Sequence, residues 1–104
     1  MADRRRQEET GVKDRTAPKI DKPQMWKVIF HNDDYTAMEF VVWVLTDLFK
    51  HSPASATRVM LHIHKTGIGV AGTYTKEVAE TRIEKTMELA REFGYPLQLT
   101  MEPE

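Results

Sequence analysis

Met25-Trp26-Lys27-Val28-Ile29-Phe30-His31-Asn32-Asp33-Asp34-Tyr35-Thr36-Ala37-Met38-Glu39-Phe40 passes from an apolar run, through an acidic turn, into a helix signature. The run Met25–His31 is rich in β-branched and aromatic residues, which predicts a strand. Thr36-Ala37-Met38-Glu39 matches a capping box, with the Thr36 hydroxyl serving an amide one turn in and Glu39 reaching back. Met38, Val41, Val42, Leu45, Leu48 and Phe49 then recur at three- and four-residue spacing, predicting a helix to about Lys50. Between strand and helix, Asn32-Asp33-Asp34 sets an amide and two carboxylates beside apolar helix residues. That composition suits a ligand with one positive charge and one apolar group. Local turn chemistry explains the same residues, because Asx side chains satisfy backbone donors and acids favour helix N-termini. Three consecutive Asx residues nevertheless exceed what one turn requires.

Downstream, Ser52-Pro53 is a second start signal, a cap followed by proline at the first helical position. Ala56, Val59, Met60 and Ile63 mark that helix's buried stripe, and Gly67 is a left-handed stop. Met60 and His64 are four apart and share a face, whereas His62 points elsewhere. Ile68–Tyr74 reads as a second strand whose glycines mark a bulge or a close backbone approach. Thr75 caps a third helix, with Glu77 in its first turn and Ala79, Ile83, Met87 and Ala90 on one face. Gly94 and Pro96 end it. Leu97–Met101 alternates as a third strand. Trp43 lies away from its helix's apolar stripe, as a half-packed aromatic or a partner contact. The order β-α-α-β-α-β predicts an α+β fold, a two-layer sandwich of three helices on a three-stranded antiparallel sheet.

Residues 1–22 differ from the rest. Arg4, Arg5, Arg6, Lys13, Arg15, Lys19 and Lys22 face Asp3, Glu8, Glu9, Asp14 and Asp21, with Val12 and Ile20 the only branched aliphatics. Such a segment cannot offset its ordering entropy, so residues 1–22 are expected to be a disordered N-terminal extension and 23–104 the core domain. With 104 residues, a net charge of -1 and both signs mixed, the chain suits one domain and lacks the basic field that nucleic acid needs. The absence of cysteine removes disulfides, thiolate zinc sites and cysteine nucleophiles. No long apolar run or signal-like N-terminus is present, so no membrane partner and a cytoplasmic location are expected.

Asp33 and Asp34 near histidines invite an acid–base or metal reading. His62 and His64 point about 200° apart on a helix and cannot share one metal. No phosphate loop, nucleophile elbow or HExxH motif occurs. A non-enzyme with no cofactor and no metal is expected.

Asn32-Asp33-Asp34-Tyr35-Thr36-x-Met38-Glu39-Phe40-Val41, then Met60-x-x-x-His64, then Gly69-x-x-Gly72-x-x-x-x-Glu77-Val78-Ala79-Glu80, together resemble the ClpS family from about Met25 to Glu102. The resemblance implies an adaptor that binds proteins with a large hydrophobic N-terminal residue (Leu, Phe, Tyr or Trp). It implies delivery of these N-degron substrates to the N-domain of a ClpA-type unfoldase for degradation by ClpP. It further implies that Asn32, Asp33 and His64 hold the α-amino group. By the same resemblance, Thr36, Met38, Val41, Met60 and Leu97 are expected to line the hydrophobic pocket, with Asp34 at its rim and Met38 disfavouring Ile and Val. The resemblance likewise implies that Glu77 and Arg82 contact ClpA and that the N-terminal extension serves delivery. The sequence departs from the family's pattern at Ala37, His31, Tyr95 and Arg82. A ClpS-like docking module without N-degron recognition is the alternative.

Overall fold

The computed structural model describes residues 23–104; the expected N-terminal extension lies outside the described residues. The elements are β1 (Met25–His31), α1 (Met38–Asp47), α2 (Pro53–Thr66), β2 (Ile68–Thr75), α3 (Lys76–Glu92) and β3 (Gln98–Pro103). β1 is the central strand of a three-stranded sheet ordered β2-β1-β3, and both neighbours run antiparallel to it. Its sequence explains that place. Val28 and Phe30 on one face are fully buried among helix residues, and Ile29 on the other face is also covered. All three helices pack on the Val28–Phe30 face, giving the expected two-layer sandwich. The opposite face carries the Lys27–Glu102 ion pair and the exposed Ile68 and Val70.

The core joins Val28 and Phe30 to Phe40, Val41, Val44 and Leu45 of α1, Ala56 and Ile63 of α2, and Ala79 and Ala90 of α3. Phe30 meets Phe49 edge to face, with ring centroids 5.4 Å apart. Among the described residues the one buried polar side chain, Thr86, directs its hydroxyl to the Arg82 carbonyl at 2.7 Å and so is buried with its hydrogen bond made.

β2 needs its glycines for two reasons. Gly69 lies opposite Phe30 on the helix side, and a Cβ there would come within 2.6 Å of Ile63 Cγ1. The missing side chain lets α2 settle onto the sheet. Gly72 lies opposite Val28, where a Cβ would strike the Tyr74 ring and hydroxyl. The register slips next to it, between Val28 and Ile29, leaving Ala71 as the extra residue of a bulge.

Helix ends follow the expected signals at α2, where the Ser52 hydroxyl accepts from the Ser55 amide at 3.2 Å and Gly67 takes φ 96°. α1 departs from expectation in two ways. It ends at Asp47 rather than near Lys50, with Lys50 in the left-handed region at φ 63°. Its N-cap is Ala37, not Thr36, and no side chain caps it. At α3, Thr75 holds the N-cap position without a side-chain bond.

Candidate functional site

Beyond His31 the chain leaves the sheet, and the Asn32 amide donates to the Gly67 carbonyl at 2.8 Å. Gly67 in turn closes α2, its own amide reaching the Ile63 carbonyl at 2.8 Å. One backbone bond thus ties the strand-to-helix loop to the last turn of α2. His64, on that turn, is carried to the loop.

Asp33 organises the loop. Its Oδ1 accepts from the amides of Tyr35 at 2.8 Å and Thr36 at 2.7 Å, and its Oδ2 accepts from the Thr36 hydroxyl at 2.8 Å. This accounts for the failure of the capping box: donating its hydroxyl to the ionised Asp33 carboxylate turns the Thr36 side chain back into the loop, away from the helix amide it would have capped. Partial burial alone would raise the Asp33 pKa. The bonds from the Thr36 hydroxyl and the Tyr35 and Thr36 amides outweigh it, so the carboxyl titrates below its ordinary 3.8. Asp33 therefore stays anionic, with lone-pair capacity remaining on Oδ2. Among the described residues, neither the Asn32 carboxamide nor the His64 ring has a hydrogen-bond partner.

These groups border a small concavity lined by His31, Asn32, Asp33, Thr36, Met38, Val41, Met60, Ile63, His64 and Leu97. Val41, Ile63 and Leu97 form its buried apolar floor, while Met38 from α1 and Met60 from α2 stand at its side. Met38 was expected to begin a core stripe. It is instead 46% exposed, since the concavity lies where its packing partners would be. Ile63 is a lining residue that the sequence reading assigned only to the core. Its place one turn from Met60 and next to His64 was the available signal.

Asp34 is exposed and outside this lining, because the turn built on Asp33 directs it to solvent. His31 reaches the concavity by its backbone alone. Alternation along β1 sends its ring to the far face of the sheet, where Nε2 lies 2.7 Å from the Thr100 hydroxyl. Glu77 and Arg82 belong to α3, which contributes nothing to the concavity. Glu77 is exposed in the first turn. Arg82 is half-buried, donating from Nη1 to the Leu48 carbonyl at 2.7 Å and lying over the Tyr74 ring at 4.9 Å. No three His, Asp or Glu side chains converge as a metal site among the described residues, and no described helix is long and apolar enough to cross a membrane.

The family model for the ATP-dependent Clp protease adaptor protein ClpS matches residues 21–100. The chain belongs to the ClpS family. It is 50% identical over 98 residues to the ClpS adapter of Maricaulis maris, covering 94% of this chain and 90% of that one. It is 56% identical over 86 residues to the ClpS of Desulfatibacillum aliphaticivorans, covering 83% of each. Among solved structures, Agrobacterium tumefaciens ClpS2 bound to L-phenylalaninamide superposes with a TM-score of 0.76 at 40% identity, covering 80% of this chain and all of that one. ClpS proteins are adaptors of the Clp protease, and that is the class of this chain.

Proposed function

We propose that this ClpS-family chain binds the free N-terminus of proteins beginning with Leu, Phe, Tyr or Trp and hands them to a ClpA-type AAA+ unfoldase for degradation by ClpP. One observation carries the reading: a polar rim of Asn32, Asp33 and His64 is continuous with an apolar lining of Val41, Ile63 and Leu97 flanked by Met38 and Met60. L-phenylalaninamide, the ligand of the ClpS2 neighbour, has the matching parts. It carries a free α-amino group, a benzyl side chain and an amide where the next peptide bond would stand.

An α-amino group titrates near pH 8 as a model compound, so at neutral pH it is largely ammonium with three donors. Asp33 supplies the countercharge, and the Asn32 oxygen and a ring nitrogen of His64 supply acceptors. Charge-assisted hydrogen bonds contribute about 1.5–3 kcal/mol each, and burying a Leu or Phe side chain contributes about as much. Set against association costs of at least ~4 kcal/mol, this gives moderate affinity that depends on every contact. An internal peptide segment lacks the ammonium, so the free terminus is the specificity element. Met38 sets the width near the ligand's Cβ and disfavours Ile and Val.

Glu77 and Arg82 supply the ClpA-facing contacts from α3, away from the pocket. One Arg82 donor is spent on Leu48, and the rest of its fork remains for a partner carboxylate. A fluorescence titration with peptides differing only at the first residue tests the reading. Phe- and Leu-initiated peptides are expected to bind, while the N-acetylated Phe peptide and a Ser-initiated one are not. Equal binding of all four would reduce the protein to a docking module indifferent to the first residue.

A further inference from the structure

Beside the pocket, α1 and α2 leave an open apolar groove lined by Met38, Glu39, Val42, Trp43, Met60 and Leu61. We propose that this groove receives the third residue of an N-degron whose first residue occupies the pocket, and that it selects an apolar side chain there. The inference rests on the first-residue reading above.

The groove is continuous with the pocket, because Met38 and Met60 line both. Those two side chains form a partition one methionine thick. On this proposal a bound N-terminus leaves the pocket as extended chain. In extended chain, residues 1 and 3 point to the same side about 7 Å apart, and residue 2 points away. A third residue is therefore the one able to reach across the partition.

The composition agrees. Met38, Trp43 and Leu61 are 46%, 43% and 41% exposed, and they are contiguous. Single exposed apolar residues are ordinary, whereas a contiguous patch marks a place where something binds. Trp43 is the firm wall, its ring centroid 5.9 Å from Phe40 and 6.2 Å from Phe93. The methionines are the adaptable one. Glu39 is the only charge in the lining, so an acidic third residue is disfavoured.

The test uses peptides beginning Phe-Ser-Leu, Phe-Ser-Ser and Phe-Ser-Asp with a common polar remainder, titrated into the full chain and its Leu61→Ser and Trp43→Ser variants. L-phenylalaninamide, which has no third residue, is titrated into each as the control. In the unsubstituted protein, Leu at position 3 is expected to bind about fivefold tighter than Ser, in keeping with partial burial of one leucine, and Asp more weakly than Ser. In both variants the Leu-to-Ser ratio falls to about one, while phenylalaninamide affinity holds within about twofold, since neither residue lines the pocket. Leu61 is exposed, so its variant carries the test should Trp43→Ser fail to fold. Equal Leu and Ser affinities with phenylalaninamide still bound would overturn the groove assignment and leave the first-residue pocket standing. Absence of phenylalaninamide binding would overturn both. A self-associated form that Leu61→Ser dissociates, together with a Leu-to-Ser ratio of one, would give the groove to a second copy of this chain and overturn the proposal.

Discussion

The two sides of the concavity are built on opposite physical principles. On the loop side, Asp33 holds Tyr35 and Thr36 by three hydrogen bonds of 2.7–2.8 Å, and Asn32 is fixed to Gly67 by a fourth of 2.8 Å. On the helix side, Met38 is half-exposed and Met60 partly buried, both are polarizable, and no directional bond fixes either. The loop side suits a demanding target such as an ammonium group, for which a displaced acceptor is a lost acceptor. The helix side suits side chains that differ in shape. On the proposed function, discrimination of the terminus and tolerance among hydrophobic residues would have separate structural sources.

The severest way to break this division is at Asp33. Asp33→Ala removes charge and loop organisation together, and is expected to abolish binding of a Phe-initiated peptide and lower the melting temperature. Asp33→Asn separates the two effects. Its carboxamide oxygen still accepts from the Tyr35 and Thr36 amides, so only the charge's part of the stability should be lost, and the variant should melt between the parent and Asp33→Ala. Affinity should fall about 10- to 100-fold with the lost charge-assisted bond. Calorimetric titration beside thermal melts checks both; an Asn variant binding like the parent would show that Asp33 only shapes the loop.

Gly69→Ala strikes the floor. The added methyl meets Ile63 at 2.6 Å, so α2 must shift, at an expected cost of about 1–3 kcal/mol in urea unfolding. Because Ile63 lines the concavity and His64 follows it, peptide affinity should fall as well. A variant destabilised yet binding normally would mean that the helix side is even more tolerant than its methionines suggest.

Met38→Ala sharpens the contrast on the soft side. Affinity for Phe-initiated peptide should fall several-fold, about fivefold from the lost apolar contact, while Ile-initiated peptide gains. The Phe-to-Ile ratio is the quantity to follow. An unchanged ratio would remove Met38 from the selection of the first residue.

The smallest effect is in acid. Asp33 titrates below 3.8 in the folded protein, so between the folded and unfolded values the unfolded chain binds more protons. Its stabilising contribution is complete above the unfolded carboxyl value, about 3.9, and is lost as pH falls through the depressed folded value. The stability gap between the parent and Asp33→Asn should therefore be constant at mildly acidic pH and narrow on further acidification. A gap that widened instead would contradict the direction of the shift.

The sequence showed these regions unequally. Element order and type were legible because they rest on local pattern: β-branched and aromatic enrichment in Met25–His31, three- and four-residue spacing after Met38, Ser52-Pro53 and Gly67 at the ends of α2, alternation in Leu97–Met101. The glycines of β2 were legible as requiring a bulge or a close approach. Which glycine did which depended on Ile63 and Tyr74 arriving from elsewhere in the chain. The capping box misled because the Thr36 hydroxyl donates to the Asp33 carboxylate and is turned away from the helix amide it would have accepted from, and local pattern does not rank those two uses of one hydroxyl. Asp34 and Asp33 look alike in sequence, and only the turn's direction sends one to solvent and the other to the concavity. His31 looked like a departure next to the site, but alternation placed its ring on the other face.

The bond from Asn32 to Gly67 has a consequence for how the site opens. Asn32 directly follows the central strand, whose backbone is paired on both sides, so its amide proton exchanges with solvent only when the strand end and the α2 turn part. Exchange at this single amide therefore clocks the separation of the two halves of the site, and occupancy by any ligand bridging Asn32 and His64 should slow it.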